Sequence, residues 1–203
     1  MQHLPQVEAA RRENGFDYSE CFAAVLPRFR AADLTVVNLE TTLTHSDRYT
    51  GYPMFRSPAA LAEALAQAGV DIATMANNHC CDGGAGGIRT TIEVLDRCGI
   101  CHTGVFADSL DRKLNHPLRI ERHGVRFAFL SYTYGTNGLR VPRGTIVNPI
   151  DTLAMAADLA AARSDSVDCV AVSMHWGNEY QRQPDAVQRR LAGFLRRHGA
   201  DLV

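Results

Sequence analysis

Three short polar clusters in this sequence carry side chains that bind metals or move protons. They are residues 38–40 (NLE), 77–79 (NNH) and 175–177 (HWG). Each cluster ends a run of mainly apolar residues, a pattern typical of a strand that is buried on both faces. Their common position at predicted strand ends suggests that the three clusters act at one place.

Glu40, Asn78 and His175 are the side chains in these clusters that suit a divalent ion. A carboxylate can bridge two ions, an amide oxygen is a weaker ligand, and a neutral imidazole suits zinc, manganese or iron. Two ions about 3.5–4 Å apart clamp a phosphate ester and activate water for in-line attack. A histidine that is not a ligand, such as His79, can protonate the departing alkoxide. These residue types therefore indicate a two-metal hydrolytic site.

Each of these residues also has a structural explanation. Asn78 can cap the turn that follows it, and His79 can be an ordinary loop histidine. Glu40 can cap a helix or pair with an arginine, and His175 can be purely structural. The shared position at strand ends favours a common site over four separate explanations.

The surrounding sequence alternates between strand and helix patterns, which indicates an α/β fold. Buried strands are predicted over residues 34–39, 70–76, 100–105 and 167–174, with a further strand beginning at 200–203. Helices are predicted over residues 16–33, 57–69, 86–99, 151–164 and 184–199. Because ligand sites in α/β sheets lie beyond the carboxyl ends of the strands, the three clusters should meet at one edge.

Local signals specify several boundaries. Ser57 is the expected N-cap of the helix over 57–69, with Pro58 at its first position and Gly69 at its end. Residues 118–133 are predicted to form a hairpin that turns at His123-Gly124. The loop over 133–150 is long and rich in Gly, Pro and Asn, which is typical of functional loops.

The composition argues against several classes of protein. The 203 residues suffice for one domain, and 46% hydrophobic with 21% charged residues is ordinary for a globular protein. The net charge of −1 argues against a nucleic-acid binder, and the basic stretch 189–199 is predicted to be the solvated face of an amphipathic helix. No run of about 18 apolar residues predicts a membrane helix, and no signal peptide is visible.

The six cysteines are interpreted as free thiols. Cys98 and Cys101 form a C-x-x-C pair, but a zinc site needs a second ligand pair, so we expect them to bind no zinc. Cys80-Cys81 is a vicinal pair with poor chelating geometry. Cys21 and Cys169 lie in apolar runs and are expected to be buried. A disulfide in an oxidising compartment and a metal role are the alternatives.

Four segments together resemble the CapA family: NLETTL, ANNHCCDGGAGGIRTTIEVLDRCGI, SYTYGTNG and MHWGNEYQ. This is the capsule or poly-gamma-glutamate synthesis protein domain, which is related to calcineurin-like metallophosphoesterases. The resemblance covers essentially the whole chain, so residues 1–203 are interpreted as a single domain of this type. It implies an α/β fold, a four-layered α/β/β/α sandwich, with two divalent ions (Mn, Fe or Zn) in the full-length protein.

The resemblance also implies a role for each candidate residue. Glu40 resembles the bridging carboxylate, and Asn78 and His175 resemble metal ligands. His79 resembles the general acid of an Asn-His motif, and Asp82 is expected to orient its loop as a second catalytic residue. The expected lining of the entrance is Tyr132, Tyr134, Asn137 and Trp176.

The sequence departs from the family pattern at both ends. Met1-Gln2-His3 resembles the tail of a first-strand motif without its Gly-Asp, and His3 is a further candidate metal ligand. The family follows GAD and a strand with Gly-x-His-x-His, whereas this sequence stops at GADLV. We therefore expect a partial domain, incomplete at both termini, that lacks several ligands and is weakly active or inactive.

The resemblance implies a function in the biosynthesis of capsule, poly-gamma-glutamate or another envelope polymer. The expected reaction is metal-dependent hydrolysis or transfer at a phosphoester or amide-like bond. An anionic polymer or phosphoester is the expected substrate, membrane-bound polymer-synthesis proteins are possible partners, and no nucleic acid is expected. The favoured location is the extracytoplasmic cell envelope, with the cytoplasm as the alternative.

Two non-catalytic functions remain as alternatives, because a shared fold does not establish a shared reaction. The protein could be an envelope subunit that scaffolds a polymer synthase, or a module that binds an anionic polymer. Metal-dependent turnover would separate the hydrolase from both.

Overall fold

The chain folds into a mixed α/β structure, seen in a computed structural model that describes residues 1–164 and 166–203. The strands are β1 (Arg11–Arg12), β2 (Gly15–Phe16), β3 (Val36–Asn38), β4 (Thr42–Thr44), β5 (Arg56–Pro58), β6 (Ile72–Thr74), β7 (Cys101–Thr103), β8 (Val105–Phe106), β9 (Leu118–Arg122), β10 (Val125–Thr133), β11 (Ile146–Val147) and β12 (Cys169–His175). The helices are α1 (Leu4–Ala10), α2 (Ser19–Phe22), α3 (Leu26–Ala31), α4 (Ala60–Ala68), α5 (Gly84–Arg97), α6 (Ser109–Asn115), α7 (Thr152–Ser164) and α8 (Ala186–Arg197). The α/β class predicted from the alternating pattern is therefore confirmed.

Two three-stranded sheets position the polar clusters. The first has the order β3-β6-β7 with all strands parallel, and the second has the order β12-β10-β9. In the second sheet, β12 lies parallel to β10, and β9 and β10 form the predicted antiparallel hairpin. That hairpin turns at His123 and Gly124, both with positive φ (51° and 78°). Two-stranded pairs join β1 to β2, β4 to β5 and β8 to β11.

The strand expected at 200–203 is a single bridge. Leu202 pairs in parallel with Ala171 of β12, and its amide donates to Val170 O at 3.2 Å. The end of the chain therefore extends the second sheet by one bridge.

The hydrophobic core occupies both faces of the sheets. Helices α4 and α5 pack on the first sheet through a cluster that includes Leu65, Leu95 and Ala73. Helices α7 and α8 pack on the second sheet through another cluster, which includes Leu159 and Leu195. A third cluster joins the two sheets and comprises Ile72, Leu118 and Phe129. These contacts explain why the strands are apolar on both faces, and the four-layer order of the sandwich stays a prediction.

The helix predicted over residues 16–33 is wrong. Phe16 lies in β2, and the remainder forms two short helices, α2 and α3, with Pro27 in the first turn of α3. Proline lacks an amide hydrogen and clashes with the preceding turn, so it is tolerated at the start of a helix but not in its interior. The apolar spacing of this segment therefore belongs to two helices rather than one.

The predicted start of the next helix is also wrong. Ser57 and Pro58 belong to β5, which pairs in parallel with β4, and α4 begins at Ala60 without a side-chain cap. The Ser57 hydroxyl instead lies 2.9 Å from the Thr41 hydroxyl in a hydrogen bond. Long-range pairing has overridden a local cap signal, whereas Gly69 ends α4 at φ 92° as predicted.

All six cysteines lie in the described part of the chain and are free thiols. Cys80 and Cys81 are buried in the core, but Cys21 is exposed, so the burial expected of it is wrong. Cys21 lies on the short helix α2, where its apolar neighbours Phe22 and Tyr18 face the core instead. The absence of zinc at Cys98 and Cys101 stays a prediction.

Within the described residues, none of the helices combines the length and the apolar character needed to cross a membrane.

Candidate functional site

The three polar clusters meet at one cavity of about 520 Å³. Glu40 follows β3, Asn78 and His79 follow β6, and His175 ends β12. β3 and β6 are parallel neighbours, so their carboxyl ends lie side by side. A hydrogen bond of 3.3 Å from Ser173 Oγ to Thr74 Oγ1 links β12 of the second sheet to β6. The structure thus brings the four side chains together as the strand-end argument requires.

Glu40, Asn78 and His175 form the centre of this cavity. His175 Nε2 lies 3.0 Å from Asn78 Oδ1 and 3.7 Å from Glu40 Oε1. The Asn78 amide nitrogen donates to Asn137 Oδ1 at 3.2 Å, which directs Asn78 Oδ1 towards His175. The Asn38 amide donates to the other Glu40 oxygen at 3.3 Å. One oxygen of Asn78 and one of Glu40 therefore face the same imidazole nitrogen.

The surroundings of His175 favour its neutral form. Burial lowers the pKa of His175 below its ordinary value, and the nearby His79 lowers it further, against the opposing effect of Glu40. The Tyr134 ring stacks on the imidazole, with centroids 5.9 Å apart. A neutral imidazole is the form that binds a metal ion.

His79 and Asp82 form a nearly buried pair beside this centre. His79 Nδ1 lies 2.8 Å from Asp82 Oδ2, and their side chains are only 7% and 1% exposed. The same Asp82 oxygen accepts from the Phe55 amide at 2.6 Å. Because a carboxylate accepts the Nδ1 proton, His79 presents Nε2 to the cavity, 3.4 Å from the Asn137 amide nitrogen. Asp82 therefore sets the orientation of the His79 ring, and its expected catalytic role stays a prediction.

Asn77 holds the site loop in place, a role that sequence reasoning missed. Its fully buried amide donates to Leu39 O at 2.9 Å and to Asn38 Oδ1 at 3.1 Å. Its Oδ1 accepts from the His79 amide at 3.1 Å. These bonds tie the end of β6 to the end of β3. The only signal in the sequence was the position of Asn77 within the polar cluster.

His3 lines the same cavity but is exposed and lies at the start of α1. Its ring makes a T-shaped contact with Phe55, with centroids 5.0 Å apart, and Phe55 makes a second T-shaped contact with His79, with centroids 4.6 Å apart. Phe55 therefore packs against both imidazoles, a contribution that no feature of the sequence indicated. The ligand role suggested for His3 stays a prediction.

The expected entrance lining is right for Tyr134 and Trp176 and wrong for Tyr132, and Asn137 lies next to the lining residue Asn78 rather than in the lining. Tyr134 and Trp176 line the cavity, and Asn137 bonds to Asn78. Tyr132 is buried in the helix-facing cluster of the second sheet, and its hydroxyl donates to Asp158 at 2.9 Å. Tyr132 still belongs to β10 and points to its helix side, whereas Tyr134 lies beyond the strand end at Thr133. The lining residues that were missed include Tyr52 and Phe55, which precede β5, and Glu179 and Tyr180, which follow β12.

The donor atoms fit one divalent ion. In residues 1–164 and 166–203, no three His, Cys, Asp or Glu side chains form a group that could hold a metal ion, so an ion at this position would need the amide oxygen of Asn78 as its third donor. Ligands about 2.1 Å from one ion, at tetrahedral or octahedral angles, lie roughly 3.0–3.4 Å apart. The separations of 3.0 and 3.7 Å around His175 Nε2 are close to that range. A carboxylate, an amide oxygen and a neutral imidazole also suit manganese, iron or zinc chemically.

Comparison with known proteins finds relatives of this chain. The capsule biosynthesis protein CapA of Bacillus anthracis is 29% identical over 146 residues, which cover 70% of this chain and 35% of that protein. The PGA biosynthesis protein CapA of Bacillus subtilis (strain 168) is 26% identical over 204 residues, which cover 97% of this chain and 52% of that protein. The chain thus spans about half the length, or less, of these curated relatives.

The family described as bacterial capsule synthesis protein PGA_cap matches residues 1–203. This match covers the whole chain and confirms the resemblance seen in the four sequence segments. The chain therefore belongs to the bacterial capsule synthesis protein PGA_cap family.

Proposed function

We propose that this protein is a metal-dependent hydrolase that acts on a phosphoester or amide-like bond in the biosynthesis of an envelope polymer. The observation that carries the proposal is the placement of His175 Nε2 against Asn78 Oδ1 and Glu40 Oε1, beside the His79–Asp82 pair. The names of the two CapA relatives, one in capsule biosynthesis and one in PGA biosynthesis, support the biosynthetic context.

Glu40, Asn78 and His175 would hold the ion, which would polarise the scissile bond and activate a water. His79 would carry a proton on Nε2 and deliver it to the leaving group. Asp82 would accept the Nδ1–H of the doubly protonated imidazole, so that the Nε2 proton faces the cavity for this transfer. Asn137 would help to position Asn78 through its 3.2 Å hydrogen bond.

Metal binding is the first test. Calorimetric titration with Mn²⁺ should show about one equivalent bound, and His175→Ala should weaken binding at least about tenfold. His45→Ala is the matched control, because the half-exposed His45 pairs with Glu93 and is not part of the cavity. Equal affinity of His175→Ala and the unsubstituted protein would refute the ligand assignment.

Turnover is the second test, with bis(p-nitrophenyl) phosphate as a generic diester. His79→Gln should keep the Mn²⁺ affinity and lose roughly 10²–10⁴-fold in manganese-dependent cleavage, the usual contribution of a general acid. Unchanged cleavage by this variant would remove His79 from the reaction. Stoichiometric metal binding without any turnover would instead support the scaffolding subunit.

A further inference from the structure

Aromatic side chains surround the mouth of the candidate cavity. Tyr52 is 80% exposed, Tyr134 is 57% exposed and Tyr180 is 97% exposed, and all three line the cavity with the partly buried Trp176. Large aromatic surfaces of this kind are usually removed from water, so a cluster of them at one cavity indicates a binding surface.

The charges at this cavity do not suit a polyanion. Among the described residues that line it, Glu40 and Glu179 carry carboxylates, and no lysine or arginine side chain is present. Binding a chain with repeated carboxylates normally relies on several cationic partners, especially arginine. Outside the proposed ion site, a row of carboxylates would therefore meet no lysine or arginine among these residues and would face the carboxylate of Glu179.

We propose that this aromatic rim, made of Tyr52, Tyr134, Trp176 and Tyr180, binds the sugar rings of a neutral glycan segment. One face of a pyranose carries C–H groups with a partial positive charge, which suit the negative face of an aromatic ring. The tyrosine hydroxyls and the indole N–H can bond to sugar hydroxyls at the same time. The cavity volume of about 520 Å³ is in the usual range for ligand sites.

The inference that the bound glycan is a segment of the polymer whose phosphoester or amide-like bond is cleaved rests on the proposed function, but the binding of the glycan does not. Binding can be measured in a chelator, where no metal-dependent reaction occurs. Loss of glycan binding with intact turnover would reject the rim and leave the hydrolase. Glycan binding without turnover would support the rim and reject the hydrolase.

The protein supplies its own probe, since Trp176 is the single tryptophan of the chain and lines the cavity. The whole chain would be titrated in EDTA with neutral glucose-, mannose- and galactose-based hexasaccharides and, separately, with hexa-γ-glutamate. We expect a saturable change in Trp176 fluorescence with at least one hexasaccharide and none with hexa-γ-glutamate. Binding of hexa-γ-glutamate as tight as that of every hexasaccharide, or no binding of any hexasaccharide, would overturn the proposal.

Two exposed tyrosines allow the rim to be tested without harm to the core. Tyr52→Ala and Tyr180→Ala should each raise the Kd for the bound hexasaccharide roughly three- to tenfold, as measured by calorimetry. Leu153→Ala is the matched control, because Leu153 is 84% exposed and lies on α7, outside the cavity. An unchanged Kd in the Tyr52→Ala/Tyr180→Ala double variant would show that the rim does not bind the glycan.

Discussion

Asp82 is the residue whose contacts link stability to the candidate site most directly. It is 2% exposed, and its Oδ2 accepts from the Phe55 amide and contacts His79 Nδ1. Asp82→Ala would leave the Phe55 amide without this acceptor and would free the His79 ring. We expect the free energy of unfolding to fall by about 2–4 kcal/mol, since buried donors without partners are costly.

Urea unfolding followed by circular dichroism measures this loss. The exposed Asp47 offers a control, because Asp47→Ala should change the unfolding free energy by less than about 0.5 kcal/mol. Equal unfolding midpoints for Asp82→Ala and Asp47→Ala would show that the Asp82 contacts do not stabilise the fold.

At the scale of the elements, Gly104 marks a close approach between the two sheets. It has φ 95°, and a Cβ at this position would lie 2.7 Å from Ala76 Cβ and 2.8 Å from Ser131 Cβ. Ala76 follows β6 of the first sheet, and Ser131 belongs to β10 of the second. The lack of a side chain here therefore lets the sheets approach near the site.

Gly104→Ala should lower the unfolding free energy by about 2–4 kcal/mol, from backbone strain together with overpacking. Gly135→Ala is the control, because its added Cβ would meet no atom within 4 Å. Thermal unfolding of both variants gives the comparison. If Gly104→Ala had the same Tm as Gly135→Ala, the close approach of the two sheets would not constrain the fold.

A partly buried ionic cluster joins three other elements on the far side of the second sheet. Arg112 of α6 donates to both oxygens of Asp158 on α7, at 3.1 and 3.2 Å. Tyr132 of β10 donates to the same carboxylate at 2.9 Å, and His116 Nε2 lies 2.9 Å from it. Burial raises the pKa of Asp158, but the contacts with His116, Tyr132 and Arg112 outweigh it, so the pKa is lowered overall.

This lowered pKa predicts a pH dependence of stability. A carboxyl with a depressed pKa in the folded state stabilises it above the pKa of the unfolded chain, about 3.9, and loses that contribution as the pH falls through the folded-state value. Asp158→Asn should thus cost about 2–4 kcal/mol at pH 7. The difference in unfolding free energy between the unsubstituted protein and Asp158→Asn should stay constant down to about pH 5 and shrink below about pH 4. Urea unfolding at a series of pH values tests this, and a difference that grows in acid would contradict it.

At the scale of the whole molecule, the number of ligands limits the reaction. A two-metal clamp needs roughly six or seven protein ligands to fix both ions. The described residues place Glu40, Asn78 and His175 around one position, with His3 lining the cavity nearby. One ion cannot stabilise the attacking and the leaving oxygen together as two ions do.

We therefore expect manganese-dependent cleavage of bis(p-nitrophenyl) phosphate by this 203-residue chain to be slow. Its kcat should lie below about 0.1 s⁻¹, well under the enzyme median of about 10 s⁻¹. Steady-state kinetics at saturating Mn²⁺ gives the value. A kcat near the median would mean that further ligands lie within this chain.

Local pattern in the sequence determined the α/β class, the hairpin turn at His123-Gly124 and the end of α4 at Gly69. It also determined that Glu40, Asn78 and His175 follow or end buried strands. These features depend on neighbouring residues or on the rule that parallel strands present their carboxyl ends at one edge, so they can be read from one sequence. That rule brings Glu40 and Asn78 together on the first sheet, whereas His175 meets them only because the second sheet packs against the first.

Tertiary structure decided the features that depend on partners distant in sequence. The local sequence predicts that Ser57 caps a helix, but Ser57 lies in β5 because β5 pairs with β4. The sequence also predicts that Tyr132 lines the site, but Tyr132 is buried because its side of β10 packs against α7. Phe55 joins the cavity because its amide meets Asp82, 27 residues away. Backbone pairing and burial together outweigh a local preference of about 1 kcal/mol, such as that for a helix cap. The secondary structure of Ser57 and the environments of Tyr132 and Phe55 are therefore determined by the packing of the sheets and helices.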